Sequence, residues 1–310
     1  MKTVLLVGGT GNLGALIGRE LLKRGARLRL LLRPGSRSKV PADLAQAAEI
    51  VEDEQAAFQD VFTVVSAVQG GPETIVDAQL RFLRAARQAG ARRFIASDYS
   101  MNLFTVPEGD NVSSDHRREF GRRADDERGD VEVVHVLNGA FLDRRVLFGF
   151  LGAVNLQKRE AYGWGDGHAE MQFTTYEDTA AYTAAAALDD RPVPDKLFVA
   201  GDSLSFDRLV KEVEAGLGAP MTVKSLGSFS DLDAAIKTRY AAEPANVPAW
   251  LPLMYWRAML NGTGKLGPLM NDRYPDLRPT GVREYVARLA TERTSGAQGM
   301  KVRATLTGTL

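Results

Sequence analysis

The sequence contains no cysteine, which excludes a disulfide framework, a thiolate nucleophile, an iron–sulfur cluster and a cysteine-ligated zinc. Histidine is nearly absent too. His116, His135 and His168 are the only three in 310 residues, too far apart in sequence for a HExxH-type site, and no metal is expected. Net charge is missing as well: 39 Lys+Arg balance 39 Asp+Glu, which argues against a nucleic-acid partner. No apolar stretch approaches the ~18 residues that span a bilayer. The longest, Val146 to Val154, is interrupted by Gly149 and Gly152 and stops at Asn155. The N-terminal apolar run is too short for a signal peptide, so a cytoplasmic protein with no membrane partner is expected. Chemistry in such a chain must come from a bound cofactor or from Tyr, Ser, Asp, Lys and Arg.

What is present is an alternation of short apolar runs and helical stripes, the mark of βαβ units around a parallel sheet. Thr3 to Val7, Arg27 to Arg33, Val61 to Val68, Phe94 to Ser97 and Val131 to Leu137 read as strands, with a short one near Ile50-Val51. Leu13 to Arg24, closed by Gly25, and Thr74 to Ala89, closed by Gly90, read as helices, and Asp115 to Arg128 as a solvated one. The expected fold is α/β, a Rossmann-type doubly wound parallel sheet over residues 1–150. A smaller, mostly helical unit over 151–291 is interleaved with the sheet, with helices at Glu177 to Leu188, Ser205 to Leu217, Tyr255 to Leu260 and Val282 to Leu289. Residues 292–310 read as a polar, weakly ordered tail.

Gly8-Gly9-Thr10-Gly11-Asn12-Leu13-Gly14 carries glycines at GxxGxxG spacing, directly after a buried strand and before an amphipathic helix. Glycines there let the chain turn, let a pyrophosphate reach the backbone and let helix pack on strand, while the helix N-terminus offers free N–H groups. An empty turn is the alternative, but the strand–loop–helix setting favours a dinucleotide, with Gly8, Thr10, Gly11, Asn12, Leu13 and Gly14 in contact. An NAD site places Asp or Glu about 20 residues on. Here that position is Arg33, followed by Ser36, Arg37 and Lys39. Cations suit a 2′-phosphate, so NADP(H) is expected in preference to NAD(H).

The stretches TVLLVGGTGNLG, LLRPGSRSK, FIASDYSMN (94–102), HVLNGAFLD (135–143) and YGWGDG…FTTYEDTAAYTAAA (162–186) together resemble the NmrA-like family. These are atypical short-chain dehydrogenase relatives that include the isoflavone reductase-like enzymes. The resemblance implies NADP(H) on the Rossmann unit and a C-terminal unit that shapes a substrate pocket. It also places Ser97, Asp98, Asn138 and Ala140 near the nicotinamide, and Ser66, Ala67 and Val68 are counted with the cofactor site. The chain departs from its relatives at the catalytic positions. It has no Tyr-x-x-x-Lys, Tyr99 being followed four residues on by Leu103. The isoflavone reductase-like lysine falls at Arg118, or at Arg117 under a one-residue shift. Arginine cannot cycle a proton but can stabilise an oxyanion.

The catalytic set expected is therefore Arg118 for charge, with His116 or Tyr99 as proton donor. His116 can equally be a surface histidine, His135 reads as a sheet residue and His168 as a loop residue. Phe141, Tyr162, Trp164, Met171 and Phe173 are candidates for an aromatic substrate pocket, though such residues also build cores. The expectation is an NADPH-dependent oxidoreductase delivering hydride to an aromatic enone, carbonyl or benzylic ether, with a homodimer as a candidate assembly. The rival is a non-catalytic NADP(H) sensor that regulates a protein partner, which the missing lysine favours.

Overall fold

A computed structural model of the protein describes residues 1–292, so the expected tail, apart from its first residue, lies outside the described residues. Seven strands form the central sheet: β1 (Thr3–Val7), β2 (Arg27–Leu31), β3 (Glu49–Val51), β4 (Thr63–Ser66), β5 (Arg93–Ser100), β6 (Glu132–Leu137) and β11 (Lys196–Phe198). Their order is β11-β6-β5-β4-β1-β2-β3, and every pairing is parallel. A parallel strand is covered on both sides, which explains the unbroken apolar runs. In β1, Val4 and Leu6 enter the core on one face, while Leu5 and Val7 enter the other.

The first face is covered by α1 (Asn12–Lys23), whose Ile17 and Leu21 are fully buried, and by α6 (Tyr176–Leu188), which packs on α1. α6 presents Ala180, Ala184 and Ala187, small residues that let it approach closely. Truncating Ile17 to alanine would cost about 2–5 kcal/mol. The second face carries α4 (Gln79–Gln88), continuous with a π-helical turn over Glu73–Ala78, and α5 (Val112–Glu127). Between the strands lie two short helices, α2 (Ala42–Ala47) and α3 (Glu54–Ala57).

β11 and α6 come from beyond residue 150, so the chain returns to finish the sheet after starting the second unit. That unit contains α7 (Phe206–Leu217), α8 (Phe229–Ala242), α9 (Val247–Leu260) and α10 (residues 282–292). It also holds two three-stranded sheets, and so is less purely helical than its sequence suggested. One is β12 (Asp202–Ser205), β10 (Glu170–Thr174) and β7 (Ala140–Phe141); the other is β13 (Thr222–Gly227), β9 (Glu160–Trp164) and β8 (Val154–Asn155). Leu209, Leu232, Trp256 and Val286 share one apolar core there. Among the described residues no helix is long and apolar enough to cross a membrane.

Candidate functional site

The glycine loop is shaped first by packing. Gly8 has φ +88°, and a Cβ there would lie 2.4 Å from the Ala67 carbonyl oxygen at the end of β4. A Cβ on Gly14 would stand 2.2 Å from the Gly8 carbonyl oxygen, and one on Gly9 2.8 Å from Leu30. Gly11 differs: it is exposed, its φ is an ordinary −79°, and a Cβ would meet only Gly8 O, at 3.4 Å. Gly11 is also the N-cap of α1, and no side chain caps that helix or places an acid in its first turn. The first N–H groups of α1 thus keep their donors and the positive end of the dipole is not offset, the electrostatics of an anion site. By contrast α5 is capped by Asn111, which accepts from Ser114 N at 3.0 Å, and carries Asp115 in its first turn. Beside the loop, a cleft of ≈ 350 Å³ is walled by Thr10, Asn12, Pro41 and Tyr176. Leu13 is half-buried against the α1 core.

Past β2 the backbone turns through Pro34-Gly35, leaving Arg33, Arg37 and Lys39 exposed and Ser36 half-buried. Among the described residues, none of these three cations has an ion-pair or side-chain hydrogen-bond partner. The position just past β2, where an NAD site carries a carboxylate, is Arg33.

The C-terminal ends of β4, β5 and β6 leave polar atoms without partners inside the fold. Ser66 Oγ, Asp98 Oδ1 and both amide atoms of Asn138 are buried and unpaired, although Ser66 and Asn138 are fully buried and Asp98 is 2% exposed. Buried groups of this kind are almost always satisfied, so their gathering at adjoining strand ends marks where a polar ligand would complete the structure. Ser97 is already occupied: its hydroxyl donates to the Val68 carbonyl at 2.7 Å and its N–H to Gln79 Oε1 at 2.9 Å. Ala67 is half-buried against Gly8, and Ala140 pairs with Phe173 across β7 and β10. Among the described residues no group of three or more metal-ligating side chains is found.

Three expectations are corrected here. Tyr99 sits at φ +34°, a left-handed conformation rare for a non-glycine residue, where β5 loses register with β6. Its side chain is thereby turned into the core, where the hydroxyl donates to the Ser66 carbonyl at 3.1 Å. Burial pushes its phenol far above the ordinary range, and the hydroxyl's proton is engaged by the Ser66 carbonyl. Asp98 does not face the cofactor edge freely either, because Oδ2 pairs with His135 Nδ1 on β6. Third, the sheet-edge position belongs to Arg117, not Arg118. Arg117 Nε donates to the Ser97 carbonyl at 3.2 Å, and Nη1 to Ser113 O at 3.0 Å and to Ser113 Oγ. Arg118, one residue and so about 100° further round the helix, turns away to pair with Asp115. His116 is half-buried one turn after Val112, which packs on the C-terminal core, and among the described residues its ring has no partner.

The aromatic group does not act as one pocket. Trp164, Met171 and Phe173 are at most 8% exposed and belong to the C-terminal core. Tyr162 donates to Glu160 at the sheet surface, which raises its pKa. Only Phe141 stays near the loop: it stacks on Tyr176, centroids 4.1 Å apart, and Tyr176 lines the cleft beside Gly11. His168 is exposed, 3.6 Å from Asp207. Gln79 and Arg117 are the contributors that sequence reasoning left out or placed second. A lone glutamine in an apolar helix stripe was the available signal for Gln79.

Residues 1–110 match the model of the NmrA-like family. A bifunctional pinoresinol-lariciresinol reductase of Linum corymbulosum is 26% identical over 317 residues, spanning 92% of this chain and 96% of that protein. Among solved structures, AtPrR2 with NADP+ and (+)pinoresinol superposes with a TM-score of 0.75 at 23% identity, covering 92% of this chain and 98% of that one. The binary complex of leucoanthocyanidin reductase with NADPH from Vitis vinifera gives 0.76 at 20% identity, covering 93% and 99%. At such identities the structural likeness speaks for the fold.

Proposed function

We propose that the chain, whose residues 1–110 match the NmrA-like family model, is a member of that family and an NADPH-dependent reductase of a small aromatic substrate. One observation carries the reading: an uncapped helix N-terminus follows the glycine loop, and three cations past β2 have no partner among the described residues, which suits a dinucleotide with a pyrophosphate and a 2′-phosphate. The free N–H groups of Asn12 and Leu13 hold the pyrophosphate, the Gly11 N–H being taken by the Gly8 carbonyl at 3.0 Å. Arg33, Arg37 and Ser36 hold the 2′-phosphate, and the unpaired Ser66, Asp98 and Asn138 atoms are available at the nicotinamide end. When bound, NADPH supplies the hydride; the protein supplies orientation and charge.

Arg117 is braced by Ser113 and by the Ser97 carbonyl, so its guanidinium is a fixed positive charge that cannot be titrated away. It stabilises negative charge developing on a substrate oxygen. His116, the preceding residue of α5 and about 100° round the helix from Arg117, is the proton donor proposed for that oxygen. The substrate, an enone, carbonyl or benzylic ether with an aromatic ring, lies against the Phe141–Tyr176 stack. Purified protein is expected to consume NADPH with some member of a panel of aromatic carbonyls, enones and benzylic ethers. Arg117→Ala should lower kcat with little change in NADPH affinity. Tight NADPH binding without turnover across the panel would overturn the enzyme reading. It would favour the second reading, an NADP(H) sensor, to which arginine in place of lysine points.

A further inference from the structure

Ser97 lies where the sheet stops holding β5. β4 pairs with β5 only as far as Ile95, and β5 falls out of register with β6 between Ala96 and Ser100. Each polar group of Ser97 is nevertheless taken, by three different segments. Its hydroxyl donates to the Val68 carbonyl past β4 at 2.7 Å, and its carbonyl accepts from Arg117 Nε on α5 at 3.2 Å. Its N–H donates at 2.9 Å to Oε1 of Gln79, the first residue of α4.

Gln79 is fully buried in a helix whose other buried residues, Leu80, Phe82, Leu83 and Ala86, are apolar. Burying an amide costs free energy unless both of its ends are bonded. Both are, since Nε2 donates to the Ile75 carbonyl one turn back at 2.7 Å. The partners also fix which end is which, because a backbone N–H only donates and a carbonyl only accepts. The amide thus ties the π-helical turn ahead of α4 to the corner of β5 that the ladder leaves. We infer that Gln79 is a positioning residue for the site: it pins Ser97, whose carbonyl, together with Ser113, directs the Arg117 guanidinium. Its effect on turnover rests on the reductase reading, whereas the positioning itself does not.

Two hydrogens report the positioning without any substrate. In the full-length, nitrogen-15-labelled protein saturated with NADPH, NMR follows exchange of the Ser97 amide and of the Arg117 Nε–H, with Arg117→Lys assigning the second. Gln79→Met, close in volume, loses both bonds and should speed exchange of both hydrogens at least about tenfold, while the β1 amides stay protected. Gln79→Glu should keep both slow, since a carboxyl oxygen accepts from Ser97 in either protonation state. Gln79→Asn, whose amide is one methylene too short, replaces Gln79→Met where that variant fails to fold. With a substrate from the panel, Gln79→Met should lower kcat about tenfold with little change in NADPH affinity, and Gln79→Glu should retain most of it. In an Arg117→Ala background Gln79→Met should cost nothing further, because its effect passes through Arg117. Additive losses would mark a purely structural role and overturn the proposal, as would an Arg117 Nε–H that stays protected in Gln79→Met. The exchange measurement decides the positioning even where the wild type turns nothing over, a result that counts against the reductase reading alone.

Discussion

The two edges of the central sheet treat their polar groups in opposite ways. At the N-terminal edge the buried cations find partners. Arg93 is fully buried, yet it holds the Glu132 carboxylate and the carbonyls of Ala186, Asp189 and Arg191. Arg29 likewise donates to the carbonyls of Ala57 and Gln59 and pairs with Glu49 at 3.1 Å. Lys2 donates to the Leu188 carbonyl at 2.6 Å. At the C-terminal edge α1 is uncapped, and among the described residues Arg33, Arg37 and Lys39 stand alone and Asn138 is buried with both amide atoms unpaired. A satisfied edge serves the fold. An unsatisfied one is maintained at a cost to stability and so is where a ligand is to be sought.

The sharpest way to break this contrast is Arg93→Met at the paired edge. It should cost about 3–5 kcal/mol by leaving three carbonyls without their donor and Glu132 with Arg92 alone, read by chemical denaturation. NADPH affinity of the folded fraction should stay unchanged. Next, the two glycines of the loop should part company. Gly14→Ala forces backbone apart and is expected to cost roughly 3 kcal/mol of stability. Gly11→Ala should leave the melting temperature almost unmoved while weakening NADPH at least about tenfold, ~1.4 kcal/mol, by calorimetric titration. Equal effects of the two on stability would remove the distinction between them. Arg33→Asp should then weaken NADPH by about 2 kcal/mol, roughly thirtyfold, and leave NADH nearly untouched.

The smallest effect is one of pH. Burial opposes ionisation of Asp189, but hydrogen bonds from Arg191 and Arg273 outweigh it and hold the carboxyl well below the usual carboxylate range. A depressed folded pKa stabilises the protein above the unfolded value, near 3.9, and that contribution is lost as pH falls below it. Asp189→Asn should therefore be less stable at neutral pH and show a flatter decline between pH 4 and 2, measured by denaturation across that window.

Much of this contrast was legible in the sequence, because its causes are local. A strand buried on both faces is an unbroken apolar run, and Gly8 to Gly14 and Arg33 stand at fixed distances from it. The C-terminal unit was harder to read. β13 is almost wholly exposed and so has no apolar pattern, and α9 was foreshortened because Pro248 and Pro252 lie within it. At the site, the failures were of rotation. Arg117 and Arg118 are neighbours in sequence yet point to different sides of α5, and a single strained dihedral at Tyr99 turns its hydroxyl away from the cleft. The Asp98–His135 pair joins residues 37 apart on different strands, which no local pattern announces.

The packing of the glycine loop bears on how such a protein could change over time. Gly8 and Gly14 are held by the main chain around them, so a lineage that abandoned its nucleotide would still be obliged to keep both. Only Gly11 and the cations past β2 are released once the ligand is gone. In a descendant, intact first and last glycines would testify to ancestry of fold alone. The middle glycine is the one whose survival reports continued use.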